Sequence, residues 1–162
     1  MRKSFLALAF LAGCGSQGDQ AGNRTESAES EAPPISASAS LTGLYEGGSA
    51  SQPDQLCMID EGEGPARFGL MVWGSNDHSC LGAGEAVREG DRLRLTMAGD
   101  SACRIDARIE GSNIVLPASV PEGCAYYCAP GATLAGRRFE KTGGTAEDAR
   151  RATDLAGDPL CG

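Results

Sequence analysis

The sequence predicts a mostly β domain, an antiparallel meander of seven or eight strands followed by a short C-terminal helix. Three observations lead to this prediction. Short segments with alternating apolar and polar residues recur between residues 41 and 139, turns containing glycine separate them, and five of the six cysteines after residue 40 lie in the same region. We expect the meander to close into a small barrel. A sandwich is the alternative, and the barrel is favoured because closure leaves no exposed sheet edge.

The predicted strands begin at residue 41. Segments 41–46, 55–60 and 66–73 come first, and the third is apolar almost throughout. A strand with that pattern is typically buried on both faces, so we expect segment 66–73 to be central.

The middle of the chain gives the clearest alternation. Segment 92–97 places two leucines and a methionine on one face and two arginines and a threonine on the other. Segments 103–109 and 113–116 are predicted as the next two strands, the latter ending at Pro117. Segment 133–139 is predicted to close the sheet.

The C-terminal tail is predicted to be helical from Ala146 to Leu155. Thr145 and Asp148 have the spacing of a capping box, and apolar residues follow at helical intervals. Because most of these apolar residues are alanines, packing alone would hold the helix weakly. We therefore expect a disulfide from Cys161 to fix the tail, with Cys128 as the predicted partner.

Residues 1–13 have the order of a secretory signal peptide. Arg2 and Lys3 supply positive charge, residues 5–11 are apolar, and the small residues Ala12 and Gly13 precede Cys14. The apolar run is too short to span a bilayer.

The motif Leu11-Ala12-Gly13-Cys14 resembles the lipobox of bacterial lipoproteins. This resemblance implies that the Cys14 sulfur carries a lipid, that the chain is cut before Cys14, and that the protein is anchored to a membrane of the cell envelope. Gly15 stands where an aspartate would mark inner-membrane retention, which favours the outer membrane. Residues 14–40 are rich in Ser, Ala, Gly and Glu and are predicted to be a flexible tether to a domain formed by residues 41–162.

The cysteine count agrees with lipidation at Cys14. The chain has seven cysteines, and assigning Cys14 to the lipid leaves an even set, which an exported protein is expected to pair as three disulfides: Cys57, Cys80, Cys103, Cys124, Cys128 and Cys161. The spacing of Cys124 and Cys128 is that of neither a thioredoxin-like redox motif nor a zinc site. We interpret them as half-cystines flanking a loop that bears Tyr126 and Tyr127. Because these tyrosines are adjacent, one should pack inward while the other is free to contact a partner.

The charge of the exported chain limits its partners. Without Arg2 and Lys3, 12 of the 14 basic residues remain against 22 acidic ones. This balance argues against nucleic-acid binding and against adhesion to anionic headgroups, and it is compatible with a cationic protein partner.

No pattern in the sequence indicates catalysis, a metal or a cofactor. His78 is the single histidine, and it lies beside Asp77 and Ser79 without a nucleophile elbow. The carboxylates of Asp60, Glu61 and Glu63 lack the spacing of a calcium loop. We therefore expect no catalytic residue, no metal ligand and no cofactor.

The overall layout is similar to that of the membrane-bound lysozyme inhibitors, which are small β-barrels. The similarity covers the lipobox, the tether and the small acidic disulfide-bonded domain, and it transfers no inhibitor residue, since the exported chain has a single lysine, Lys141. The expected function is that of a non-enzymatic envelope lipoprotein whose β domain binds a protein or a small ligand. The alternative is an inhibitor of a cationic envelope-attacking hydrolase such as lysozyme.

Overall fold

Eight antiparallel strands form a closed barrel in the computed structural model, which describes residues 40–162. Each strand pairs with the next one along the chain, and the last pairs with the first. The predicted barrel is thus confirmed over the sandwich. The predicted signal peptide, Cys14 and the predicted tether as far as residue 39 lie outside the described residues. The strands are β1 Gly43–Gly48, β2 Pro53–Ile59, β3 Ala66–Trp73, β4 Ser79–Glu89, β5 Arg92–Met97, β6 Arg104–Glu110, β7 Asn113–Val115 and β8 Arg138–Gly143.

The longest strand, β4, is absent from the predicted segments. Its inward-facing positions include Gly82 and Gly84, so it lacks the apolar alternation that marks a strand in the sequence. The neighbouring strand explains these glycines, because a Cβ at Gly82 would lie 2.7 Å from the Met97 sulfur and one at Gly84 would clash with the Thr96 carbonyl oxygen. Gly82 therefore makes room for the Met97 side chain, and Gly84 lets the backbone at Thr96 approach closely.

The closing strand begins later than predicted. Segment 133–137 belongs to the long connection between β7 and β8, and β8 starts at Arg138. Leu134 lies in the core and the Arg137 side chain binds Asp54, so the alternating pattern of this segment reflects contacts of a loop.

Apolar side chains fill the barrel. All eight strands contribute inward-facing residues to one hydrophobic cluster, although β4 contributes none from its glycine-rich part. The largest fully buried residues of this cluster include Phe68, Phe139, Leu56, Met58 and Leu70. An eight-stranded barrel is just wide enough for side chains to fill it. The barrel interior is therefore occupied by side chains and leaves no room for a ligand.

The C-terminal tail covers the outside of the barrel wall. Its helix α1 spans only Ala146–Ala149, although the predicted capping box of Thr145 and Asp148 is present. The predicted extension to Leu155 is wrong because the chain turns back through a bridge between Thr153 and Pro159, which leaves Leu155 exposed at the tip. The tail forms a second apolar cluster with β1 and β2: Leu44, Cys57, Ile59, Ala149, Ala152 and Cys161.

Six cysteines form three disulfides: Cys57–Cys161, Cys80–Cys128 and Cys103–Cys124. The predicted pair of Cys128 with Cys161 is therefore wrong. The connection between β7 and β8 folds over the barrel end at which β4 starts, so Cys128 meets Cys80, and the tail runs along β2, so Cys161 meets Cys57. Among residues 40–162, no helix is long and apolar enough to cross a membrane.

Candidate functional site

The two ends of the barrel are built differently. One end, which we call the loop end, consists of the connections 49–52, 74–78, 98–103 and 116–137. The other end, which we call the mouth, consists of Ser40 and Leu41, the tight turns after β2, β4 and β6, and the last residues of β8. Sequence analysis had pointed only to the loop end, through Cys124, Tyr126, Tyr127 and Cys128.

Two disulfides hold the longest connection against the loop end. Residues Glu122–Tyr127 form a short 3-10 helix within the connection. Cys124 joins it to Cys103 before β6, and Cys128 joins it to Cys80 at the start of β4. The segment between Cys124 and Cys128 is thus tied to the barrel on both sides.

Tyr126 and Tyr127 point in different directions, as expected of adjacent residues. Tyr127 packs against the core cluster, and its hydroxyl lies 3.5 Å from the Ala98 carbonyl oxygen. The Tyr126 side chain is 87% exposed and meets the Tyr127 ring edge-on, with 5.5 Å between ring centroids. A large aromatic residue is therefore presented to solvent by a cross-linked loop.

The connections of the loop end carry several carboxylates. Asp77 and Glu122 are exposed at the loop end, and Asp100 is half-buried. Desolvation raises the pKa of Tyr127, and the Asp100 carboxylate raises it further, which places this carboxylate close to the tyrosine pair. Arg104 is exposed at the start of β6, whereas Arg137 is neutralised by a buried partner.

That partner is Asp54, whose side chain is 1% exposed. One Asp54 oxygen accepts a hydrogen bond from the Trp73 amide at 2.7 Å, and the other accepts one from Arg137 Nη1 at 3.2 Å. Arg137 also donates to the carbonyl oxygens of Trp73 and Thr133 at 2.9 and 3.0 Å. This network fixes the end of the β7–β8 connection to β2 and β3.

His78 has a structural contact in the loop end. Its Nδ1–H donates to the Pro130 carbonyl oxygen, and the neighbouring Asp77 carboxylate instead accepts from the Gln52 side chain at 3.0 Å. Cys80 is in a disulfide. The structure thus brings Asp77 and His78 into contact with different partners.

The mouth holds a cavity of about 300 Å³ that sequence analysis missed. Leu41, Ile109 and Ile114 supply apolar wall, and Tyr45, Arg88 and Lys141 supply polar groups. Tyr45 is buried, its hydroxyl donates to the Leu41 carbonyl oxygen at 2.7 Å, and desolvation raises its pKa to about 12 against the opposing effect of Arg88. A second cavity on the other side of Leu41, of about 460 Å³, is more open.

Lys141 is placed over the Tyr45 ring, with its nitrogen 5.4 Å from the ring centroid. It donates to the Ser40 carbonyl oxygen at 2.9 Å, and desolvation lowers its pKa. The sequence signal for this position is its spacing of two residues from buried Phe139, which puts both on the inward face of β8. The sequence-based prediction misses this signal because its closing strand, segment 133–139, ends before Lys141.

Metal ligands do not cluster in the described part of the chain: no group of three His, Cys, Asp or Glu side chains there could hold an ion. The carboxylates after β2 have other partners, since Asp60 accepts from the Gly62 amide at 3.0 Å and Glu61 pairs with Arg67 at 3.1 Å.

The chain matches no protein family model, no curated protein and no solved structure. The functional argument therefore depends on the geometry of the two barrel ends.

Proposed function

We propose that this protein is a lipid-anchored lipoprotein of the cell envelope, held in the outer membrane through Cys14, whose barrel binds a cationic partner protein at the loop end and catalyses no reaction. The observation that carries this proposal is the 87% exposure of Tyr126 on a segment tied down by two disulfides. Exposed aromatic residues are enriched among the energetically dominant contacts of interfaces. Because the segment is cross-linked before binding, little conformational entropy is lost when a partner docks.

The charge of the loop end supports a cationic partner. Asp100 acts on Tyr127, Asp77 and Glu122 are exposed on other parts of the loop end, and Arg137 is paired with buried Asp54. Complementary charge increases the association rate and disfavours acidic partners. It also makes the interaction sensitive to salt, because the Debye length falls to ~3 Å at ~1 M.

The partner is tested by capture from an envelope extract with a soluble Cys14→Ser chain. We expect a basic protein to be retained at low salt and released at high salt, and Tyr126→Ala to retain at least tenfold less, since a dominant aromatic contact is worth ~2 kcal/mol or more. Leu155→Ala is the matched control, because Leu155 is also a large exposed apolar residue, 64% exposed, but lies on the tail. Equal retention by Tyr126→Ala and Leu155→Ala would contradict the proposal.

Inhibition of a cationic hydrolase such as lysozyme is the second candidate, and the acidic, rigid loop end is what favours it. A direct assay separates it from simple binding. The Cys14→Ser chain, added in increasing amounts to purified lysozyme, should abolish cell-wall hydrolysis at a defined stoichiometry, and Tyr126→Ala should require at least tenfold more protein. Undiminished hydrolysis in the presence of a captured complex would exclude inhibition and leave binding in place.

Anchoring is tested independently of the partner. Cells grown with an alkyne fatty acid should label the wild-type chain and leave Cys14→Ser unlabelled, and only the wild type should fractionate with outer membranes. Equal labelling of both chains would show that Cys14 carries no lipid.

A further inference from the structure

We propose that the mouth of the barrel binds a small organic monoanion with an apolar body, whose acid group contacts Lys141 and Arg88. This site lies at the barrel end opposite the loop end and is independent of the partner surface proposed there.

The shape of the mouth limits the ligand to a small molecule. Its cavity of about 300 Å³ is at the lower limit of the ~300–1,000 Å³ that ligand pockets usually span. Below it, the barrel interior is filled by residues such as Phe68 and Phe139. Leu41, Ile109 and Ile114 supply apolar wall, which favours a ligand with a hydrocarbon portion.

The charge of the cavity selects an anion. Lys141 is the single lysine of residues 40–162, it is half-buried, and it forms no ion pair with a carboxylate of that region. Of the three donors of its ammonium group, the Ser40 carbonyl oxygen accepts one. No carboxylate side chain lines the cavity. A half-buried cation is costly without a counter-ion, and the acid group of a ligand would supply one.

Arg88 reaches the same cavity from β4. Its Nε donates to the Gly90 carbonyl oxygen at 2.9 Å, and its charge acts on the Tyr45 hydroxyl, which faces the same space. Arg88 therefore adds positive charge to the cavity lined by Tyr45 and Lys141, and a planar guanidinium suits the two oxygens of a carboxylate.

The rim of the mouth explains why a monoanion is preferred over a polyanion. Glu89 and Asp91 are exposed at the turn after β4, beside the cavity. Their charges oppose the approach of phosphate-rich ligands, whereas a single carboxylate can be neutralised inside by Lys141.

Octanoate is the probe, with uncharged 1-octanol as a comparator of the same chain length. Binding to the Cys14→Ser chain is followed by NMR chemical shifts of residues 41, 45, 109, 114 and 141. We expect octanoate to shift these resonances saturably and at least tenfold more tightly than octanol. Lys141→Met keeps the unbranched stem that packs on Tyr45, and it should weaken octanoate binding at least tenfold without changing octanol binding.

Two further variants control for charge and for folding. Arg150→Met removes a positive charge from the exposed tail and should bind octanoate like the unsubstituted chain. Lys141→Arg restores the charge and should recover most of the affinity, and its thermal midpoint reports whether the barrel is intact. The proposal is overturned if octanoate does not bind, if octanol binds as tightly, or if Lys141→Met and Arg150→Met bind octanoate equally well.

Discussion

Removing the Cys57–Cys161 disulfide should release the tail and leave the barrel folded. Cys57 is fully buried on the outer wall and Cys161 is 4% exposed, so both lie in the contact between tail and barrel. The other members of that contact from the tail are Ala149 and Ala152, with half-buried Leu160. Alanines remove little apolar surface from water, and a helix of four residues is unstable by itself. The tail therefore depends on its covalent bond.

The chain-entropy argument gives the size of the effect. The bridge closes 104 residues, but Cys80–Cys128 already short-circuits 48 of them, which leaves a closed path of about 56 residues. A loop of that length corresponds to about 4 kcal/mol of stabilisation relative to the unfolded chain. We expect the double variant Cys57→Ala/Cys161→Ala to lose up to that amount in urea unfolding, with a single cooperative transition for the remaining barrel.

Trypsin supplies the local measurement, because Arg150 and Arg151 are exposed in the tail beside α1. Cleavage there should be much faster in the double variant than in the wild type. Cys103→Ala/Cys124→Ala is the matched control, since it removes a bridge that closes 21 residues at the loop end and should leave the tail protected. If the two double variants are cut at Arg150 and Arg151 at the same rate as the wild type, the tail is held by packing and the reasoning is wrong.

Three other predictions follow from buried polar groups and the helix cap. Asp54→Ala should lower the free energy of unfolding by ~1–3 kcal/mol because it leaves the partly buried Arg137 and the Trp73 amide without their carboxylate acceptor, whereas Glu110→Ala, which breaks the exposed pair with Arg138, should cost under ~1 kcal/mol; similar urea midpoints would contradict this. Burial raises the pKa of Tyr45 to about 12 from 10.0, so the stabilisation that comes from its neutral hydroxyl is complete below pH 10 and falls as the pH rises towards 12. In a pH titration followed by tyrosinate absorbance, Tyr45→Phe should remove the step at the highest pH. If that step persists, it belongs to another tyrosine. Thr145→Ala should cost ~1 kcal/mol of local stability, seen as about fivefold faster amide exchange at Asp148, while Thr145→Ser should exchange like the wild type.

The sequence predicts those parts of the barrel in which the inward face is apolar and the outward face polar. The predicted segments 66–73 and 92–97 have the same bounds as β3 and β5. In the first, a nearly continuous apolar run defines both ends of the strand, and in the second, apolar and polar residues alternate from end to end. Alternation does not predict β4, because an inward position such as Gly82 has no apolar side chain. Its small size is explained only by the contact with Met97 on β5, which the sequence of β4 does not show. The Cys161 partner was missed for a similar reason, since nothing local to Cys161 indicates that the tail runs along β2.

The candidate sites divide in the same way. Tyr126 was found because two nearby cysteines mark its loop, a signal contained in five consecutive residues. The mouth was missed because its polar groups come from β1, β4 and β8, and only the closed register puts Tyr45 opposite Lys141. Arg88 lies two residues after inward-facing Ala86 and therefore faces the same side of β4. Its position could not be predicted because the sequence pattern did not predict β4.

The two barrel ends, which carry the two proposed binding sites, are held together by different kinds of bond. Two disulfides and the Asp54–Arg137 pair stiffen the loop end, whereas the mouth is closed by hydrogen bonds, such as those of Thr42 with the backbone of Asp60 and of Tyr45 with Leu41. A rigid surface suits a protein contact, because the conformational entropy of ordering it is already lost during folding. A hydrogen-bonded rim can adjust around a small ligand.

Coupling between the two barrel ends would require a structural element with two alternative packings. The interior that separates them is one continuous cluster of buried side chains, and close-packed cores resist such rearrangement. A monoanion in the mouth should therefore leave the affinity of Tyr126 for a partner unchanged, and the two sites should fill independently.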